Sequence, residues 1–284
     1  MLPDQQARVV VVLVRARNPS NIGASARAIH DLGFSHLRIV NEFPVPFQAA
    51  LATERAAVDA SSVLESAREF PAVSDAVADC TLVFGTTAVG ERVLEHPLQL
   101  LADAAQTIGT QLAADPNARV AILFGSEKTG LSNDELSHCH ALLTIPMNPR
   151  APATDKARHL SMNLGQAVAV TLYALAATSE NKPVPHSSQP HRDEWDPVQT
   201  HAPSGEIERL TTLLRALLET SGYTRRHPAN AREPIIRRLV RRMALNPADA
   251  QVWTGILRQF QHALAGGTSE TQSPQVTSHS EGES

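Results

Sequence analysis

The sequence is poor in cysteine and in aromatic side chains. Of 284 residues only 2 are cysteine, and Phe, Trp and Tyr together make up 4%. Cys80 and Cys139 form no CxxC pair and no disulfide framework, so we expect reduced, buried thiols. No apolar run approaches the ~18 residues that span a bilayer, and no charged-then-apolar leader is visible. These absences predict a cytoplasmic protein with no membrane partner.

Common metal and hydrolase motifs are also missing. His138-Cys139-His140 has metal-like spacing but no evident fourth ligand, so we predict no metal site. There is no HExxH motif, no GxSxG elbow, and no GxGxxG after a strand. Residues 124–132 approach the P-loop pattern, but Leu131 stands where the phosphate-binding lysine belongs. The formal net charge of -4 excludes a protein that is basic throughout, but not a local basic patch.

Short apolar runs alternate with helix-period stretches between residues 8 and 177. The runs of strand length are 9–14, 37–40, 81–84, 120–124 and 141–145, and the helical stretches are 23–32, 56–70, 98–114 and 162–177. Continuous rather than alternating hydrophobicity indicates strands that are covered on both faces. The pattern therefore predicts an α/β domain whose ligand site lies at the carboxyl ends of parallel strands.

The rest of the chain divides into three parts. Residues 178–205, rich in Pro, Ser, His and charge, are predicted to be a linker after a domain of residues 1–177. Residues 206–264 have helical periodicity, with one helix beginning at Pro234 and a last helix over 248–264. Residues 265–284 contain too few apolar side chains to form a core and are predicted to be disordered.

Three segments have the same pattern, in which an apolar run is followed or interrupted by Gly, Ser, Asn and a charged residue. They are NIGASARA (21–28), ILFGSEKTGLS (122–132) and LSMNLGQAV (160–168). Asn21 opens a helix and Arg27 follows nearly two turns later, where its forked guanidinium suits a phosphate. Glu127 is the polar contact of the glycine-flanked loop. Ser161 is predicted to cap a helix with Asn163 in its first turn. Together they predict one site built from several loops.

The helical C-terminal region is locally basic. Between residues 225 and 242 there are seven arginines against one acid, Glu233. On a helix from Pro234, an apolar stripe is predicted to consist of Ile235, Ile236, Leu239, Val240 and Met243. The adjacent face is predicted to bind RNA through Arg237, Arg238, Arg241 and Arg242.

In this order, NxGxxAR, FGxExxGLS and SMNLGQAV resemble the three motifs of the SPOUT RNA 2'-O-methyltransferases over residues 8–177. The C-terminal region resembles the extension of the bacterial members that methylate nucleotide 32 of the tRNA anticodon loop. That likeness lies in Ser221-Gly222-Tyr223, His227-Pro228, Ile236-Arg237-Arg238-Leu239 and Gly255-Ile256-Leu257. The resemblance implies an α/β fold with a trefoil-knotted, mostly parallel sheet, helices on both faces, and a small helical C-terminal extension.

The same resemblance implies the site residues and partners. The catalytic residues would be Arg27, Glu127 and Ser161, supported by Asn21 and Asn163. The pocket for S-adenosyl-L-methionine would consist of Thr86, Thr87, Ala88, Gly125, Ile145, Leu160, Ser161 and Met162. Arg27 would also contact RNA, and the expected partners are tRNA and a second copy of the chain. Residues 148–159 form a longer loop than the family pattern has.

Two alternatives remain open beside methylation of tRNA. One is the same chemistry on ribosomal RNA, which the tRNA-like C-terminal region disfavours. The other is a catalytically idle RNA-binding module, which the intact Arg27, Glu127, Ser161 and Asn163 disfavour. The residues do not discriminate between cytidine and uridine as the target.

Overall fold

The computed structural model describes residues 1–41, 45–53, 60–88, 95–147, 161–178 and 200–266. The strands are β1 (Val9–Val14), β2 (His36–Val40), β3 (Arg68–Phe70), β4 (Leu82–Thr86), β5 (Leu98–Leu100), β6 (Val120–Phe124) and β7 (Ala141–Thr144). The first helices are α1 (Pro3–Gln6), α2 (Pro19–Asp31), α3 (Val45–Thr53), α4 (Ser61–Glu65), α5 (Val73–Ala76) and α6 (Leu101–Ala114). They are followed by α7 (Asn133–Leu136), α8 (Leu164–Ala177), α9 (Ser204–Thr220), α10 (Tyr223–Arg226), α11 (Glu233–Arg242) and α12 (Pro247–Gly266).

The strands form one parallel sheet with the order β3-β2-β1-β6-β4-β7-β5. Successive side chains of β1 enter two separate cores: Val11 and Leu13 lie in one, Val10 and Val12 in the other. Because a strand presents alternate residues to opposite faces, both faces of the sheet are covered. One face carries α2, α6 and α8, and the other carries α5 and α7. The predicted α/β sheet with helices on both faces is confirmed.

Two edge strands differ from the prediction. The segment predicted as a helix over 56–70 contains α4 and then β3, which pairs with β2 at one edge of the sheet. Similarly, the helix predicted over 98–114 begins only at Leu101, because residues 98–100 form β5 beside β7. A three-residue strand owes its conformation to hydrogen bonds with its neighbour and not to its own periodicity. The trefoil knot stays a prediction, since strand order and register do not specify how a chain threads.

The C-terminal helices form a bundle with its own core. The buried residues of this core are Ala202, Ile207, Leu210, Leu217, Val240, Leu245, Ala250 and Leu257. Ser204 N and Gly205 N donate to the carbonyl oxygens of Cys80 (2.8 Å) and Ala78 (2.9 Å), so the bundle joins the α/β domain directly. The predicted helical extension is confirmed, but ordered structure begins before residue 206. Residues 179–199 and 267–284, in the predicted linker and tail, lie outside the described residues.

Two of the four arginines predicted to bind RNA are buried, so that prediction is wrong for Arg237 and Arg241. Their exposed fractions are 3% and 7%. The apolar stripe predicted on α11 does not coincide with the buried face of this helix, because Leu239 and Met243 of the stripe are 53% and 39% exposed. The helix α11 packs against α9 through a face that includes the two arginines, and long arginine side chains can bury their alkyl stems. Helical spacing in the sequence indicates that α11 has an apolar face and an adjacent arginine face, but it does not indicate which of them packs against α9.

The buried Arg237 guanidinium connects three elements. Nε and Nη2 donate to Glu208 of α9, both at 3.0 Å, and Nη2 also donates to Glu233 of α11. Nη1 donates to Ser137 Oγ at 2.9 Å, directly after α7. The other two arginines lie nearer the surface: Arg238 pairs with the carboxylate of Glu95, and Arg242 is exposed. Arg237 therefore joins the C-terminal bundle to the α/β domain.

Within the described part of the chain, no helix is long and apolar enough to cross a membrane.

The Arg237→Ala substitution is expected to lower the free energy of unfolding by about 1–3 kcal/mol, because it removes the hydrogen bonds that this buried guanidinium donates to the partly exposed Glu208 carboxylate and to the buried Ser137 hydroxyl. Chemical denaturation followed by circular dichroism measures the change. The control is Arg238→Ala, whose partner Glu95 is half exposed, and which should cost at most about 1 kcal/mol. Unchanged stability of the Arg237 variant with weakened RNA binding would restore the original RNA-contact prediction.

Candidate active site

A cavity of about 550 Å³ lies at the carboxyl ends of β4, β6 and β7. Its walls come from the residues after β4, the loop 125–131 after β6, the residues after β7, and the start of α8. Seven of the eight residues predicted to hold a cofactor line it: Thr86, Thr87, Ala88, Gly125, Ile145, Ser161 and Met162. Leu160 lies outside the described residues. The volume falls within the ~300–1,000 Å³ of small-molecule sites.

The loop 125–131 forms one continuous wall of this cavity. Gly130 N donates to Ser126 O at 2.8 Å and closes a tight turn, with Gly130 at a φ of +65°. A Cβ at Gly125 would lie 2.2 Å from the backbone of Gly130 and Leu131. Only glycine therefore fits at position 125. The lining residues Ser126, Lys128, Thr129, Gly130 and Leu131 were not predicted, although their position after a strand end pointed to them.

Glu127 connects this loop to the segment after β1. Its Oε1 accepts hydrogen bonds from Asn18 N (3.2 Å) and Asn21 Nδ2 (3.0 Å), and its Oε2 accepts from Arg17 N (3.2 Å). Partial burial acts to raise the pKa of Glu127, but the hydrogen bonds from Asn21 and from these backbone groups hold it below its ordinary value. Glu127 is consequently an anion at neutral pH, suited to orienting its neighbours and not to donating a proton.

Asn21 extends the connection to the third segment. Asn163 Nδ2 donates to Asn21 Oδ1 at 2.9 Å, while Asn163 Oδ1 accepts from Gly165 N at 3.0 Å. Asn163 is therefore the N-cap of α8, and the prediction that Ser161 caps this helix is wrong. Ser161 is instead exposed on the cavity wall. Glu127, Asn21 and Asn163 thus form a chain of hydrogen bonds through all three polar segments.

Arg27 lies apart from this chain. It lines a different cavity between α2 and α8, and its Nε is 3.5 Å from Asp31 Oδ2. Asn21 and Arg27 are six residues apart, which places them about 120° apart around the axis of α2, and they line different cavities. The expectation that both face one ligand within a single chain is therefore wrong.

Arg15 anchors the far end of the loop and was not predicted. Its Nε and Nη2 donate to Glu135 at 2.6 and 2.9 Å, and Nη2 also donates to Gly130 O at 3.0 Å. Glu135 in turn accepts from Ser132 N at 2.6 Å in the capping box of α7. Arg15 adopts a φ of 55°, which is unusual for a residue with a side chain. No local pattern indicates such a long-range pair.

In the segment His138-Cys139-His140, which precedes β7, His138 and Cys139 are buried and His140 is partly buried. Burial lowers the pKa of His138 to about 2 and raises that of the Cys139 thiol to about 12, so both are neutral at physiological pH. His140 Nδ1 accepts a hydrogen bond from Val83 N at 3.0 Å. Among the described residues no group of three or more His, Cys, Asp and Glu side chains is placed to hold a metal ion. The segment serves packing.

The carboxyl ends of the strands of a parallel α/β sheet are the usual place for a small-molecule site, and the glycine-walled cavity lies there. Comparison with known proteins specifies the class. The model of the SpoU rRNA Methylase family matches residues 8–173, more than half of the chain. The chain belongs to this family and is an RNA methyltransferase. The resemblance inferred from the three motifs is confirmed.

Similar proteins extend over most of the chain. The tRNA (cytidine/uridine-2'-O-)-methyltransferase TrmJ of Citrobacter koseri is 31% identical over 262 residues, covering 90% of this chain and 97% of the relative. TrmJ of Escherichia coli K12 is 31% identical over 92% of this chain and 98% of its own length. The crystal structure of TrmJ from Z. mobilis is similar with a TM-score of 0.69 and 29% identity, and covers 90% of this chain and 100% of that one.

The Gly125→Ala substitution should lower the free energy of unfolding by about 1–3 kcal/mol, because the new Cβ meets backbone atoms that cannot rotate away. Urea denaturation provides the measurement. Gly109→Ala in α6 is the matched control, since its Cβ would lie at an ordinary 3.5 Å from Thr178 Cγ2, the nearest atom outside the helix backbone. That variant should gain about 0.5–1 kcal/mol from its helical position. Equal stability of both variants would contradict the role of Gly125.

Proposed function

We propose that this protein transfers a methyl group from S-adenosyl-L-methionine to the ribose 2'-hydroxyl of nucleotide 32, cytidine or uridine, in the anticodon loop of tRNA. The observation that carries the proposal is the cavity beside Glu127, walled by the residues predicted for this cofactor. The tRNA (cytidine/uridine-2'-O-)-methyltransferases that resemble the chain over 90% of its length support the substrate class.

The cavity has the chemistry that S-adenosyl-L-methionine requires. Leu143, Ile145 and Met162 offer apolar contact for an adenine ring, and Thr86 and Ser161 offer hydroxyls for polar groups. The backbone of the loop 125–131 is accessible because Gly125 has no side chain. When bound, this cofactor supplies a methyl group on a positively charged sulfur.

The 2'-hydroxyl is a poor nucleophile at neutral pH, so the protein must align it and assist removal of its proton. Ser161 lies on the cavity wall and would hold the ribose, while Asn163 is oriented by Asn21 and Glu127. Arg27 is not the base, because a guanidinium stays protonated in proteins. It would bind a phosphate of the RNA, leaving a phosphate oxygen or water to accept the proton.

The extent of the similarity favours tRNA over ribosomal RNA. The family model ends at residue 173, whereas the similarity to the TrmJ proteins covers 90% or more of the chain. The C-terminal bundle, with exposed Arg225, Arg226 and Arg232, would supply a surface for the tRNA backbone together with Arg238 and Arg242. The intact chain of hydrogen bonds from Glu127 to Asn163 disfavours an idle RNA-binding module. The cytoplasmic location stays a prediction.

A homodimer through α2 and α8 would bring Arg27 to a reaction centre. Tyr173 and Val170 of α8 are 65% and 37% exposed, beside small side chains of α2. This apolar face carries Arg27, which lines neither cavity around Glu127 in its own chain. A second copy packed on this face would cover the tyrosine and direct Arg27 towards the neighbouring site.

The proposed function is tested with purified protein, S-adenosyl-L-methionine and tRNA transcripts. Calorimetry should detect cofactor binding, and mapping of ribose methylation should show one modified nucleotide at position 32. Transcripts with cytidine or uridine at this position determine the base preference, and a ribosomal RNA fragment is the competing substrate. Cofactor binding without methylation of any RNA would favour the idle module. Methylation of the ribosomal fragment alone would contradict tRNA as the substrate.

Variants of Tyr173 and Arg27 on the α2–α8 face should separate assembly from chemistry. Tyr173→Glu is expected to give monomers in sedimentation velocity, since it places a charge in an apolar interface. Arg27→Ala should leave the dimer intact but lower kcat by about 100-fold or more, as expected for a lost orienting contact. Arg27→Lys distinguishes a need for charge, which would retain activity, from a need for the planar fork. Unchanged turnover of Arg27→Ala would refute its assignment.

A further inference from the structure

A second cavity lies on the other side of Glu127. It has a volume of about 420 Å³, is open to solvent, and shares Ser126, Glu127 and Lys128 with the larger cavity. Its opposite wall is formed by the segment that follows β1, including Arg17 and Asn18. The two cavities are therefore adjacent compartments, separated by the Glu127 side chain. A molecule in the second cavity lies beside whatever occupies the first.

The charges around this second cavity favour an anion. The Glu127 carboxylate is its one acidic lining group among the described residues, and three hydrogen bonds from Arg17 N, Asn18 N and Asn21 Nδ2 already occupy it. Arg17 and Lys128 are exposed, and in the described part of the chain neither side chain has a hydrogen bond or ion pair. Nearby Arg15 is different, because its guanidinium pairs with Glu135.

We propose that Arg17 and Lys128 bind a backbone phosphate of the substrate RNA in this second cavity and thereby position the target ribose at the cofactor cavity. An arginine and a lysine without carboxylate partners suit a phosphate, which accepts several charge-assisted hydrogen bonds. The proposal rests on the proposed function in one respect, namely that the larger cavity holds the methyl donor. It adds a contact on the same chain as Glu127, independent of Arg27 on the α2–α8 face.

The backbone and the side chain of Arg17 make separate contacts. The backbone N–H donates to Glu127, which leaves the arginine side chain available at the cavity. Substitution of Arg17 by alanine keeps that N–H and hence the Glu127 contact. The side chain can therefore be removed without dismantling the loop, so a binding defect reports on the RNA.

The test compares Arg17→Ala, Lys128→Ala and the double variant with the unaltered protein and with Arg209→Ala. Arg209 is the matched control, an exposed arginine of α9 paired with Glu206. Fluorescence anisotropy measures the Kd for tRNA over a series of salt concentrations. Each single variant should raise this Kd about tenfold, the order expected for one charge-assisted contact. Each should also reduce the slope of log Kd against log salt by about 0.7–1. The Kd of Arg17→Ala for S-adenosyl-L-methionine, measured by calorimetry, should not change, because Arg17 lines only the second cavity.

Conservative variants exclude a purely structural explanation. Arg17→Lys and Lys128→Arg should restore most of the salt slope, because they retain the charge. An unchanged tRNA Kd and salt slope in the double variant would overturn the proposal, as would an equal effect of Arg209→Ala. A different result contradicts the proposed function, namely that the unaltered protein methylates no tRNA. In that case the same variants are compared on a ribosomal RNA fragment. Equal salt slopes of the double variant and the unaltered protein on that fragment would also overturn the phosphate site.

Discussion

The site depends on the carboxylate of Glu127 and the three groups that donate to it. Strands β1 and β6 are parallel neighbours, with Leu13 opposite Phe124, so the segments that follow them leave the sheet side by side. The Glu127 side chain bridges these segments and, through Asn21, reaches Asn163 at the start of α8. The Glu127 carboxylate thus connects three chain segments that are more than 100 residues apart at their extremes. Both cavities are defined by where this side chain stands.

A second set of buried charges connects the C-terminal bundle to the same region. The four-residue helix α7 has its N-terminal capping box tied to Arg15 and the cavity loop, while Ser137 at its other end accepts from Arg237 of the bundle. Buried ion pairs are costly unless every partner is satisfied, and they specify geometry more than they add stability. The short helix α7 is accordingly one of the contacts between the bundle and the catalytic domain. Its basic residues divide into a buried structural set and an exposed set.

Much of the fold was predictable from local patterns. Buried parallel strands are continuously apolar, so β1, β6 and β7 were located almost to the residue, and the polar segments at strand ends located the site. Two of the errors have a common cause. Ser161 and Asn163 are both suitable caps, and α11 has both an apolar stripe and an arginine face that can pack. In each case two local solutions have similar energies, and contacts made by distant residues select between them.

The amino-acid sequence alone therefore determined that the protein has parallel strands covered on both faces, three polar segments at their ends, and a basic helical extension. Each of these features depends on residues that are close together in the chain. Only the tertiary structure decided that Asn163 caps α8, that Arg237 is buried, and that Arg27 faces away from Glu127. It also revealed Arg15 and Arg17, whose partners lie more than 100 residues away. Such partners are brought together by the order of strands in the sheet, and no local periodicity encodes that order.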